Sequence, residues 1–112
     1  MAAKRDRGVG MAYVTAPDRA TARRIARSVL ERKLAACANL LPAESLYWWK
    51  GSIERADEVV LVFKTRRSLL KRLIAAVREI HPHEVPCAVG YAAASASPSY
   101  ASWIEDSTTH HA

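Results

Sequence analysis

Apolar and polar positions change their period several times along this chain, and each change marks an element. Gly10 to Ala16 (GMAYVTA) is short and apolar, a first strand. Pro17 ends it, and Asp18 is a good N-cap for the helix that follows. In that helix Ala22, Ile25, Ala26, Val29 and Leu30 form the i, i+3, i+4, i+7, i+8 stripe of an amphipathic face. It is expected to end near Leu34 to Ala36. A second strand runs from Ala38 to Trp49, and Pro42 is expected to kink or bulge it, since proline cannot donate to a ladder. Val59 to Thr65 is a continuous apolar run, a buried third strand. Ser68 is placed to cap a second helix with Leu69, Leu70, Leu73, Ile74, Val77 and Ile80 on its inner side. His81 precedes proline, which disfavours helix and stops it there. Pro86 to Ala93 is the fourth strand, interrupted by Gly90. Ser97-Pro98 then opens a short helix bearing Tyr100, Trp103 and Ile104.

The order βαββαβ plus a terminal helix is that of an α+β, ferredoxin-like split βαβ sandwich. We expect one domain over residues 10–107, a basic flexible tail over 1–9 and a frayed tail over 108–112. Two helices would cover one sheet face. The strands lack the polar alternation of a wet opposite face, so other subunits are expected to pack there.

The second and third strands meet at SLYWWKGSIE, where Tyr47, Trp48 and Trp49 precede a Lys-Gly-Ser turn. This reads as an extended hairpin. Tyr47 and Trp49 point to one face and Leu46 and Trp48 to the other, so both faces need cover. A compact chain of this length has a radius of gyration of roughly 13 Å, whereas a strand from Ala38 to Trp49 spans roughly 40 Å. The hairpin should therefore overhang its domain and bury Leu46 and Trp48 against another chain. The alternative is a hairpin folded back into its own core.

Composition adds little to this picture. Half of the 112 residues are hydrophobic and a quarter charged, as in a globular domain able to fold without metals or disulfides. Cys37 and Cys87 sit in apolar contexts and read as reduced, buried thiols. Neither a signal peptide nor a transmembrane run is evident, so a cytoplasmic protein with no membrane partner is expected. Residues 1–33 hold nine Lys/Arg against three Asp/Glu, which is the whole of the +6 excess. Lys4, Arg5 and Arg7 fall in the tail. Arg19, Arg23, Arg24, Arg27, Arg32 and Lys33 follow the first helix. No nucleic-acid motif accompanies them, and we read a solvated face without a nucleic-acid partner.

Several segments together resemble the CutA family of divalent-cation tolerance proteins. They are YVTAPD, ERKLAACANLLP, SLYWWKGSIE, VFKT, HPHEVP and SYASW, in that order, covering Met11 to about Ser107. The resemblance implies a homotrimer of ferredoxin-like protomers, similar in architecture to the PII signalling proteins. It also implies a link to copper or other divalent metals, and it brings no catalysed reaction. The metal ligands described for some members are a cysteine on the first strand and a His-His pair before the HP proline. Val14 and Ile80 occupy two of those positions here, and only His81 matches.

His81-Pro82-His83-Glu84 offers two imidazoles and a carboxylate, suitable for Cu²⁺ or Zn²⁺. His81, with His83 as a substitute ligand, is the candidate metal set; local hydrogen bonding by His81 is the alternative. A second constellation comprises Tyr47, Trp49, Lys50, Glu54, Lys64, Glu84, Tyr100 and Trp103. These could line a cleft where hairpin and terminal helix meet between subunits, suited to a small anion or to a structural ion pair. The leading expectation is a trimer that binds or responds to copper or another divalent metal. The alternative is a PII-like sensor with a small anionic ligand in that cleft. There is no Ser/His/Asp order, phosphate loop or metal-hydrolase motif, so no enzyme is expected. The protein partner, if the chain signals, is not written in the sequence.

Overall fold

A computed structural model of the chain describes residues 8–110. The elements are β1 (Val9–Ala16), α1 (Arg19–Glu31), β2 (Cys37–Trp49), β3 (Ser52–Arg66), α2 (Leu70–Ile80), β4 (Ala88–Ala92) and α3 (Pro98–Ser107). One antiparallel sheet carries the strands in the order β2-β3-β1-β4. This is the ferredoxin-like arrangement that the element order implies.

Alternation along β1 and β3 sorts the sheet into two faces. Ala12, Val14, Ala16, Leu61 and Phe63 are fully buried against Ile25 and Val29 of α1 and Leu73 and Val77 of α2. The opposite face exposes Met11, Tyr13, Leu41, Val89 and Tyr91. Its far end is covered by α3: Tyr100 meets Cys37 there, and Arg66 bonds Thr108.

The hairpin overhangs as expected. The chain extends 53 × 29 × 20 Å with a radius of gyration of 15.1 Å, above the roughly 13 Å of a compact chain this long. Its two-residue loop places Lys50 at φ 49 and Gly51 at φ 84. Two successive left-handed residues match the right-handed twist of the paired strands.

Several elements differ from expectation, each for a local reason. Pro42 neither kinks nor bulges β2: the register with β3 runs unbroken from Cys37↔Lys64 to Trp49↔Ser52. Because β2 is the sheet edge, a missing ladder donor is tolerated. β3 is twice the expected length, since its charged half, Ser52 to Glu58, pairs with the apolar half of β2. α1 stops at Glu31, where Lys33 turns left-handed at φ 61. Ser68 caps nothing; it lies in a 3₁₀ turn over Arg67–Leu69 that leads into α2. β4 is only five residues, without Pro86 and Cys87. Cys87 is exposed and Cys37 half-buried, so neither thiol is the core residue expected. Thr108, assigned to a frayed tail, is 1% exposed and hydrogen-bonded to Ile104. Val9, assigned to the other tail, opens β1. The basic residues Lys4, Arg5 and Arg7, and His111, lie outside the described residues.

Candidate functional site

The exposed sheet face, the hairpin and the loop between α2 and β4 enclose a groove of about 780 Å3. β1 supplies Tyr13 and Thr15, and β2 supplies Ser45, Tyr47 and Trp49. The loop supplies His83, Glu84 and Cys87, and β3 contributes Glu58. Aromatic side chains line it together with a few polar groups, the usual composition of a ligand site. Its lining holds two carboxylates and one imidazole, which favours a cation over an anion.

His81 sets the position of the loop. It ends α2 with extended backbone, φ −74 and ψ 134, as a pre-proline residue must. Its Nε2 lies 2.7 Å from the carbonyl oxygen of Thr15, and its Nδ1 accepts the backbone N–H of His83 at 3.1 Å. A carbonyl only accepts and a backbone N–H only donates, so these two bonds select the imidazole that carries its proton on Nε2. Both ring nitrogens are therefore engaged. The His83 ring lies 4.9 Å from that of His81, tilted by 55°, and reaches the groove.

Among the described residues, no three of His, Cys, Asp and Glu converge on one point. Three protein ligands are the usual minimum for tight transition-metal binding.

The eight residues expected to share a cleft form two groups within one protomer. Tyr47, Trp49 and Glu84 line the groove. Lys50 and Glu54 stand beside them at the hairpin tip, Lys50 with its ammonium 5.8 Å from the Trp49 ring centre and Glu54 accepting from Ser52. Lys64, Tyr100 and Trp103 lie at the other end of the sheet. Lys64 hydrogen-bonds Asn39, and Tyr100 stacks on Trp103 at 5.5 Å. Ten residue steps along β3 take Glu54 to Lys64, roughly 33 Å of strand.

Two contacts were not legible beforehand. Cys37 Sγ lies 3.5 Å from the Tyr100 hydroxyl, and that bond, with burial, pushes Tyr100 up to about 12. Thr15 as the anchor of His81 has only one sequence signal, a polar residue in an otherwise apolar strand.

The fold is that of a small ferredoxin-like protein with a projecting hairpin and a groove beside it. The chain belongs to the CutA1 divalent ion tolerance protein family, whose model matches residues 10–107. Protein CutA of Mus musculus is 42% identical over 101 residues, 89% of this chain and 57% of its own length. A Xenopus laevis CutA homolog is 44% identical over 85% of this chain and 64% of its own. The chain thus spans little more than half the length of these vertebrate relatives. The divalent-cation tolerance protein CutA of Thermococcus kodakarensis is 40% identical over 82% of this chain and 88% of its own. Among solved structures, the Archaeoglobus fulgidus protein superposes with a TM-score of 0.88 at 34% identity, covering 90% of this chain and 99% of its own. CutA1 of Oryza sativa gives 0.87 at 35%, covering 93% and 96%. The Archaeoglobus protein is described as periplasmic and a rice relative as chloroplastic, so relatives of this chain occupy more than one compartment. No helix among the described residues is long and apolar enough to cross a membrane.

Proposed function

We propose that the chain serves divalent-cation tolerance as a homotrimer that binds copper or another divalent metal weakly in the groove. The observation that carries the metal reading is that His83, Glu84 and Glu58 all line the same groove. Imidazole and carboxylate suit a borderline metal. His83 is the leading ligand, and His81 joins only by giving up its bond to the His83 N–H. With fewer than three converging donors, water completes the coordination shell and affinity stays modest. Trimer assembly is supported by the exposed apolar sheet face, continuous with an overhanging hairpin on which Leu46 and Trp48 are 70% and 73% exposed.

Copper titration by calorimetry tests the metal reading, on protein carrying His110→Ala and His111→Ala so that the tail contributes nothing. Saturable binding that weakens in His83→Ala and in Glu84→Ala is the expected result. Binding unchanged in both variants, or none below millimolar copper, overturns it.

A second reading is a PII-like sensor. It is favoured by the two separated aromatic groups, one at each end of the sheet, which head-to-tail packing of subunits would join into one cleft. Lys64 would then supply the charge for a small anion. Loss of anion binding in Lys64→Ala with an intact trimer supports it. A melting temperature indifferent to every anionic metabolite tried excludes it.

A further inference from the structure

A second, smaller cavity of about 260 Å3 lies at the end of the sheet away from the hairpin tip. The ends of α1 and α3 and the first turn of α2 enclose it. Lys33, Arg66 and Arg72 line it with His110, against one carboxylate among the described residues, Glu105. The volume falls below the roughly 300 to 1,000 Å3 of drug-sized pockets, which restricts an occupant to a few heavy atoms.

Arg66 is held in place. Its Nε donates to Thr108 Oγ1 at 2.9 Å and its Nη2 to the Thr108 carbonyl at 3.2 Å. Thr108 is in turn fixed by its own bond to the Ile104 carbonyl at 2.8 Å. The remaining guanidinium N–H groups are available to a ligand.

Lys33 provides a separate observation. Its N–H bonds the Leu30 carbonyl at 3.0 Å, and that of Leu34 bonds the Val29 carbonyl at 3.1 Å. This pair of bonds is a Schellman motif, whose left-handed position is ordinarily glycine. A lysine at φ 61 carries Cβ strain that glycine would avoid. Positive charge at this helix end is already supplied by Arg32, which pairs with Glu79 at 3.6 Å. The strained residue is instead the one whose side chain lines the cavity. Among the described residues, neither Lys33 nor Arg72 has a carboxylate partner.

We propose that this cavity binds a small oxyanion with the size and charge of phosphate, held by Lys33, Arg66 and Arg72. Among the described residues, three cations against one carboxylate leave the hollow positive. Arginine matches oxyanion geometry with paired N–H donors. The site shares no lining residue with the metal groove.

Inorganic phosphate is the probe, compared with sodium chloride at equal ionic strength on the full chain. We expect a saturable rise in melting temperature specific to phosphate. Arg72→Ala should weaken binding at least about tenfold, the loss of a charge-assisted contact. Lys33→Gly should weaken it similarly while melting at or above the wild-type temperature without phosphate, because the left-handed strain is removed. Lys71→Ala, an exposed neighbour outside the cavity, should bind phosphate unchanged. The proposal fails if phosphate acts no differently from chloride, or if Lys33→Gly binds as wild type. It fails equally if Lys71→Ala loses as much as Arg72→Ala, which would reduce the effect to diffuse surface charge.

Discussion

His81 Nε2 reaches the carbonyl oxygen of Thr15 at 2.7 Å, and this contact joins the residue that follows α2 to the end of β1. The ring is 8% exposed, and its other nitrogen receives the His83 N–H. One side chain therefore closes two backbone groups and fixes the loop that carries His83 and Glu84 into the groove.

Removal of that side chain should be felt in stability before it is felt in metal binding. His81→Ala strands a carbonyl and an N–H, at a cost of about 1–3 kcal/mol. Urea denaturation measures it. The same variant should lose less copper affinity than His83→Ala; the reverse order would make His81 a ligand first and a tether second.

The hairpin should govern assembly and not the fold of the protomer. Trp48 is 73% exposed and Trp49 40% in the single chain, so Trp48→Asp and Trp49→Asp remove little from its own core. A charge forced into a buried apolar contact between chains costs several kcal/mol. Light scattering should show smaller particles with unchanged circular dichroism. Particles of three-chain mass in both variants would move the assembly surface elsewhere.

Asp18 makes α1 sensitive to acid. Its carboxylate accepts the Thr21 N–H at 2.7 Å, which holds its pKa below the ordinary 3.8. The unfolded chain takes up this proton more readily than the folded one. The stabilisation is thus complete above the ordinary value and is lost as pH falls through the lower folded-state value. Asp18→Asn keeps a capping oxygen without the titration. Its melting temperature should fall less steeply in acid than that of the wild type; parallel curves would refute the assignment.

Tyr100 works in the opposite direction. Its hydroxyl, bonded to Cys37 and partly buried, is pushed up to about 12 from 10.0. The unfolded chain ionises first, so stability is complete below the ordinary value and declines as pH rises toward the folded one. Titration of phenolate absorbance should find one of the four tyrosines late. In Cys37→Ala it should move back toward its neighbours, and an unmoved curve would separate the two residues energetically.

Most of the fold was legible because local rules carry it. The helical stripe ending at Leu30, Asp18 as a cap and the stop at His81-Pro82 depend only on near neighbours in sequence. The hairpin was legible as well, since a two-residue Lys-Gly turn between strands has few conformations. Where the reading failed, a distant partner decided. The third strand was expected only from Val59, yet β2 pairs with Ser52 to Glu58 as well. Pro42 is harmless only because β2 became the edge.

The site divides along the same line. The chain by itself singled out the candidate residues: the HPHE imidazoles and carboxylate, and the aromatics of the hairpin. Tertiary structure decided their roles, because hydrogen bonds and burial depend on what the fold brings near. His81 became a tether through Thr15, 66 residues away in sequence. Arg66 became the fixed wall of a basic cavity through Thr108, 42 residues away. No periodicity spans such separations, and only the packed sheet and helices set those distances.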